Sequence, residues 1–175
     1  MKVINTILEG VLIIEPSIFL DDRGSFHESY NSKIYKEIGI NEEFVQDNHS
    51  ISSYGVLRGL HFQHQNPQGK LVRCTKGKVH DVVVDINPES STYCQYIGID
   101  LSEDNFKQLW IPGGYAHGFC VLSEVAAFQY KCTNYYDNND QKGYIWNDPN
   151  LSIDWPIENP TLSEKDKLLP NLSDS

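Results

Sequence analysis

The chain has 175 residues, 39% of them hydrophobic and 22% charged, which supplies one globular core and leaves too little length for a second full domain. Its 24 acidic against 14 basic side chains give a formal charge of −10, a balance that repels a phosphate backbone unless the cations are clustered, so nucleic acid is not an expected partner. No apolar run approaches the ~18 residues of a membrane span, Met1-Lys2-Val3-Ile4-Asn5 lacks a signal-peptide core, and a cytoplasmic protein without a membrane partner is expected.

In chain order, short stretches rich in Val, Ile, Tyr and Phe at 10–15, 25–30, 44–53, 70–75, 78–86, 94–101, 106–111, 118–122 and 126–135 read as strands between turn signals. One helix is predicted over 31–39, with Asn31 as N-cap and Gly39 as the stop. So many short strands imply an all-β sandwich or barrel. Lys76-Gly77-Lys78 reads as a hairpin turn. In the strand that follows, alternation places Val79, Asp81, Val83 and Asp85 on one face and His80, Val82, Val84 and Ile86 on the other, and two aspartates among valines imply a partly wet interior. Beyond Trp146 the periodicity fades into Pro156, Pro160 and Pro170, so 147–175 is expected to be a tail laid on the sheet of one domain spanning 1–175. Cys74, Cys94, Cys120 and Cys132 show no CxxC spacing and are read as reduced, mostly buried thiols.

Of only three arginines, two precede glycine, in Asp22-Arg23-Gly24-Ser25-Phe26-His27-Glu28 and Leu57-Arg58-Gly59-Leu60-His61. A single Arg-Gly pair is ordinarily a surface ion pair beside a turn. Two of them, each followed by an aromatic or a histidine, suit an anion site, because guanidinium presents a planar fork to phosphate. His61, His64 and His117 fall at or near predicted turns, and Ile111-Pro112-Gly113-Gly114-Tyr115-Ala116-His117 sets one polar residue among small and apolar ones, as in a pocket wall. The three histidines could hold a metal, but on a pleated strand His61 and His64 point to opposite faces and the position two after His61 is Gln63, a poor ligand. Lys70 and Tyr130 could add an oxyanion-stabilising cation and a proton donor.

Several motifs then occur in one order: Asp22-Arg23-Gly24-x-Phe26-x-Glu28, Phe44-Val45-Gln46-Asp47-Asn48-His49-Ser50, Arg58-Gly59-Leu60-His61-x-Gln63, Gly69-Lys70-Leu71-Val72, Ala116-His117-Gly118-Phe119, Tyr130-Lys131-x-Thr133-Asn134-Tyr135-Tyr136, Trp146-Asn147-Asp148 and Leu162-Ser163-Glu164-Lys165-Asp166. From about Ile4 to Asp166 the chain resembles the dTDP-4-dehydrorhamnose 3,5-epimerase family. The resemblance implies a cupin-like jelly roll, a homodimer, no metal or other cofactor, and inversion of a dTDP-4-keto sugar at C3 and C5. It implies His61 as base, Tyr130 as opposing acid, Asp166 as the carboxylate that orients His61, and Lys70 as the cation facing O4. It also implies contacts to nucleotide or sugar from Arg23, Phe26, Glu28, Gln46, Asp47, Asn48, Arg58, His117 and Lys165. Asp81 remains a second candidate partner for His61, and Gln141 stands where many relatives are expected to carry an acid. Inversion of one carbon only, or metal-dependent cupin chemistry, are the alternative readings.

Overall fold

A computed structural model describes residues 1–174; Ser175, the end of the expected tail, lies outside the described residues. The elements in order are β1 (Lys2–Asn5), β2 (Leu12–Glu15), β3 (Phe19–Asp21), β4 (Gly24–Phe26), α1 (Ser32–Glu37), β5 (Gln46–Ser53), β6 (Leu57–Gln63), β7 (Lys70–Lys76) and β8 (Lys78–Asp85). They continue with β9 (Tyr96–Ser102), β10 (Gln108–Ile111), β11 (Tyr115–Val121), β12 (Val125–Cys132), β13 (Gln141–Gly143), α2 (Glu164–Lys167) and a 3-10 turn, Leu172–Asp174.

The strands form a six-stranded sheet in the order β1-β2-β10-β7-β12-β5 and a five-stranded sheet in the order β13-β6-β11-β8-β9, both antiparallel, with β3-β4 as a separate ribbon. Strand alternation sorts the apolar residues into three layers. Between the sheets lie Val72, Cys74, Leu109 and Phe128 from one side and Val79, Val83, Leu101 and Phe119 from the other. The outer face of the five-stranded sheet, with Val82, Val84, Ala116 and Cys120, is covered by Leu151, Trp155 and Leu172. The outer face of the other sheet, with Ile14, Leu71 and Trp110, is covered by Tyr35 and Ile40 around α1. This two-sheet arrangement is the cupin-like jelly roll.

Asn31 caps α1 by accepting from the Lys33 N–H, and Gly39 ends the turn at φ +97. The predicted alternation of β8 holds, with Asp81 among the inward valines and His80 facing out toward Trp155. All four cysteines are free thiols; Cys74, Cys120 and Cys132 are buried.

Three expectations are corrected. Gly77 does make a tight turn at φ +71, but β7 and β8 do not pair; the turn carries the chain from one sheet to the other. The reason is local: the Gly77 and Lys78 N–H groups donate to Glu103 Oε1 and Ser123 Oγ, and a Cβ on Gly77 would strike Ser123 and Val125. Residues 57–63 form a central strand of the five-stranded sheet, not a turn, so His61 and His117 are mid-strand residues directly opposite one another. The strand expected at 25–30 stops at Phe26.

Between β6 and β11 the register shifts: His117 faces His61, but Phe119 faces Arg58. The extra residue in β6 turns Arg58 and His61, three apart and so opposed in a regular strand, toward the same side. Glycines at the shift make this possible. Gly59 sits at φ +128, a Cβ there would lie 2.6 Å from Gly118 Cα, and a Cβ on Gly118 would lie 2.8 Å from Arg58 O. Gly118→Ala is therefore expected to destabilise the protein by roughly 1–3 kcal/mol through overpacking, read as a fall in denaturation midpoint at unchanged m-value.

Candidate active site

A cavity of about 750 Å³ opens between the sheets, and the bulge of β6 delivers Arg58 and His61 into it together. His117 enters from β11, while Asn48 and Ser50 on β5, Lys70 on β7 and Tyr130 on β12 enter from the opposing sheet. The C-terminal segment closes one side with Ser163, Lys165 and Asp166.

That segment is placed by backbone pairing. Thr161 lies beside β6, with Leu57 N–H donating to Thr161 O and Thr161 N–H to Gly55 O. Ser163 then caps α2 by accepting from the Asp166 N–H, and Asp166 in the first turn reaches across β6. His61 Nε2 lies 2.6 Å from Asp166 Oδ1. Burial pushes the Asp166 carboxyl up, but the hydrogen bond and charge of His61, Ser163 and the Gly59 N–H outweigh it and hold the group below its ordinary value. Asp81 takes the other histidine: both its oxygens lie 3.0 Å from His117 Nε2, with Asp81 fully buried and His117 stacked on Phe128. The two carboxylates are thus assigned without overlap, Asp166 to His61 and Asp81 to His117.

Across the cavity, Lys70 is the cross-strand neighbour of Cys132 and forms no ion pair among the described residues. Burial pulls its ammonium below the usual lysine range, against the opposing pull of Cys132 and Asp81. Burial, helped by Cys132, raises the Tyr130 phenol, so Tyr130 stays protonated. Asp166 is the one carboxylate among the lining residues, against Arg58, Lys70, Lys142 and Lys165. An acidic chain has gathered its cations around one hole, as an anionic ligand requires.

Gln46 lines an adjoining recess that shares Asn48, His61, Lys70, Tyr130 and Tyr136 with the main cavity. Asp47 does not reach either: alternation turns it to the outer face of β5, where it pairs with Lys131 at 2.9 Å. Within one chain the structure also leaves Arg23, Phe26 and Glu28 away from the cavity lining. Arg23 pairs with Asp21, Phe26 is 69% exposed, and Glu28 accepts from Asn31. His64 is exposed outside the cavity, and among the described residues no group of three or more His, Cys, Asp or Glu could hold a metal ion. Gln63 is structural: its amide donates to Asn66 O and Tyr135 O and accepts from the Asp137 N–H.

Sequence reasoning missed Ser52, whose Oγ receives Arg58 Nε and Nη2 at 3.2 and 3.1 Å, and Asn138, whose Oδ1 accepts from Lys165 Nζ at the edge of the cavity, where the Tyr136 hydroxyl also donates to Gln141 Oε1. The period of two running from Gln46 and Asn48 through Ser50 to Ser52 was a usable signal for the first. The second depends on how a loop folds back and leaves no periodic trace.

The family model for dTDP-4-dehydrorhamnose 3,5-epimerase matches residues 5–174. The chain belongs to this family. The Escherichia coli K12 protein named dTDP-4-dehydrorhamnose 3,5-epimerase is 54% identical over 177 aligned positions, covering 99% of this chain and 96% of that one. The Shigella flexneri protein of the same name is 53% identical over 168, covering 95% and 93%. Among solved structures, the dTDP-6-deoxy-D-glucose-3,5-epimerase of Legionella pneumophila in complex with dTDP-4-keto-L-rhamnose superposes with a TM-score of 0.96 at 50% identity, covering 98% of this chain and 93% of that one.

The depressed Asp166 carboxyl links the site to stability. A carboxylate whose folded pKa lies below its unfolded value contributes stability that is complete above the unfolded value and is lost as pH falls through the folded one. Asp85, Asp100 and Asp140 are lowered as well. Asp166→Asn should therefore lose stability less steeply than the wild type between about pH 5 and pH 2, without abolishing the slope, as read from denaturation midpoints across that range.

Proposed function

We propose that this chain inverts C3 and C5 of dTDP-4-dehydro-6-deoxy-D-glucose, giving dTDP-4-dehydro-L-rhamnose for L-rhamnose and polysaccharide biosynthesis. The reading is carried by one arrangement: an Asp166-held His61 on one sheet faces Lys70 and Tyr130 on the other across a cation-rich cavity. With a carboxylate on Nε2, that nitrogen carries the proton and Nδ1 keeps the lone pair. Nδ1 removes a proton from C3 or C5, and the electron pair moves through the C3–C4 or C5–C4 bond onto O4, where the ammonium of Lys70 meets the developing charge. The Tyr130 hydroxyl returns a proton from the opposite ring face and the centre inverts; the imidazolium of His61 then gives up its proton to solvent and the tyrosinate takes one from it. Both carbons flank the same ketone, so one base, one acid and one cation serve both, and the substrate's own carbonyl is the electron sink.

In this reading Arg58, His117 and Lys165 bind the diphosphate or sugar, Gln46 and Asn48 line the approach, and the segment from 147 onward is a tail that carries Lys165 and Asp166 to the site. The enzyme works in the cytoplasm, a location in keeping with four free thiols and with the absence, among the described residues, of a helix long and apolar enough to cross a membrane.

We also propose a homodimer in which the β3–β4 ribbon of each copy reaches the cavity of the other, bringing Arg23, Phe26 and Glu28 to the nucleotide. Its support is that Phe19, Leu20 and Phe26 are 64%, 77% and 69% exposed on a ribbon paired with neither sheet of its own chain. Light scattering should give the mass of two chains, and a stable, fully active monomer would contradict the proposal.

The catalytic assignment is tested by incubating the protein with the 4-keto sugar nucleotide in D2O and locating deuterium by NMR. His61→Ala should lower exchange at both carbons by about 10²–10⁴-fold, the range general-base catalysis contributes, while dTDP affinity is retained. Exchange at either carbon near the wild-type rate would sink the one-base assignment. Tyr130→Phe should still exchange protons from the His61 side while forming little inverted product.

A further inference from the structure

Ser50 Oγ is the one buried side-chain oxygen or nitrogen without a hydrogen-bond partner among the described residues, and Ser50 lines the cavity. A buried hydroxyl normally finds a partner, because leaving it unmade forfeits its hydration with no return. The chain as folded gives it none. Its cross-strand neighbour is Phe128, and the next residues on its face bond elsewhere: Asn48 donates to Cys132 Sγ, and Ser52 accepts from Arg58.

The position of Ser50 along β5 says what it can reach. On one side, Asn48 pairs with Tyr130, beside Lys70 and Cys132, at the end of the cavity where the ketone is handled. On the other side, Ser52 holds the Arg58 guanidinium, the fork suited to phosphate. Ser50 lies between them, one strand repeat from each. In a nucleotide-linked 4-keto hexose, the group between the phosphate-bearing C1 and the reacting C3 is the hydroxyl on C2, which keeps its configuration throughout the reaction.

We propose that Ser50 is a substrate-specificity residue whose hydroxyl, turned into the cavity by one step about its Cα–Cβ bond, hydrogen-bonds the C2 hydroxyl of the sugar. The contact leaves C3 and C5 free to invert while holding the ring at a carbon that does not change. It deepens the epimerase reading and rests on it for the identity of the sugar. It also makes the site selective against 2-deoxy sugars, since these leave the serine unmatched.

The test uses three ligands that lack the C4 ketone, dTDP, dTDP-glucose and dTDP-2-deoxyglucose, titrated calorimetrically into the wild-type protein and Ser50→Ala. The variant should bind dTDP as the wild type does and dTDP-glucose about 3–10-fold more weakly, the worth of one neutral hydrogen bond. The wild type should lose the same factor on passing from dTDP-glucose to dTDP-2-deoxyglucose, and the variant should be indifferent to that change. Equal weakening toward dTDP, an unchanged affinity for dTDP-glucose, or a deficit that persists with the 2-deoxy sugar would each overturn the assignment. The unliganded variant should melt no lower than the wild type, and a fall of several degrees would show instead that the hydroxyl has a structural bond. Because these ligands cannot enolise, the result is independent of whether protons exchange at C3 and C5, and the D2O experiment alone decides the epimerase reading.

Discussion

The additional residue that β6 carries against β11 is a small irregularity on which the geometry of the cavity depends. In a regular strand Arg58 and His61 would lie on opposite faces, one in the space between the sheets and the other in the layer under Trp155. The register shift puts both in the cavity, and it needs the backbones of Gly59 and Gly118 in near contact, where no Cβ fits. The same stretch of β6 supplies the Gly59 N–H that helps hold Asp166. The placements of Arg58, His61 and Asp166 are therefore set by one local backbone feature, and a change in the packing of two glycines is transmitted to all three.

Charge is arranged on the same economy. The chain is strongly acidic, yet four of its cations face a cavity lined by a single carboxylate, and that carboxylate is consumed by His61. Asp81, the other buried acid nearby, is consumed by His117. Lys70 is left without an ion pair and partly desolvated, so a negative charge forming near it meets little competition from protein carboxylates. Pairing both acids with histidines is what keeps Lys70 available.

The fold class was legible because the strands bury one face and their alternation survives in the residues, most clearly in β8 with Asp81 among valines. Asn31 and Gly39 similarly marked a helix through local capping chemistry. Strand pairing was not legible at Lys76-Gly77-Lys78, since a positive-φ glycine signals a tight turn but not whether the strands it joins pair or diverge into two sheets. Residues 57–63 were hidden as a strand because Gly59, read locally, is a breaker; its use in a bulge is decided by Gly118, nearly sixty residues later. The deeper site residues His61, Lys70, His117, Tyr130 and Asp166 were recognised through ordered motifs. Asp47 was carried along by its motif against the period of its own strand, and Asn138, in the turn before β13, depends on a loop contact that no repeat encodes.

The division of the site between two sheets bears on how one set of groups can treat two carbons. His61 stands on the five-stranded sheet and Tyr130 with Lys70 on the six-stranded sheet, so in the proposed reaction a ring held between them would have its base on one face and its acid on the other. In the D-gluco substrate the protons on C3 and C5 lie on the same ring face and both carbons flank C4, so a cation at O4 serves either position. The requirement on the protein is then a fixed O4 site and a ring with some freedom around it, not two complete catalytic sets. An interlayer core of Phe119, Phe128 and Val72 packs beside the strands that carry Lys70 and Tyr130, while the edge of the cavity is polar, with Tyr136 bonded to Gln141 and Lys165 to Asn138, so the fixed groups sit deep and the hydrogen-bonding ones sit at the rim.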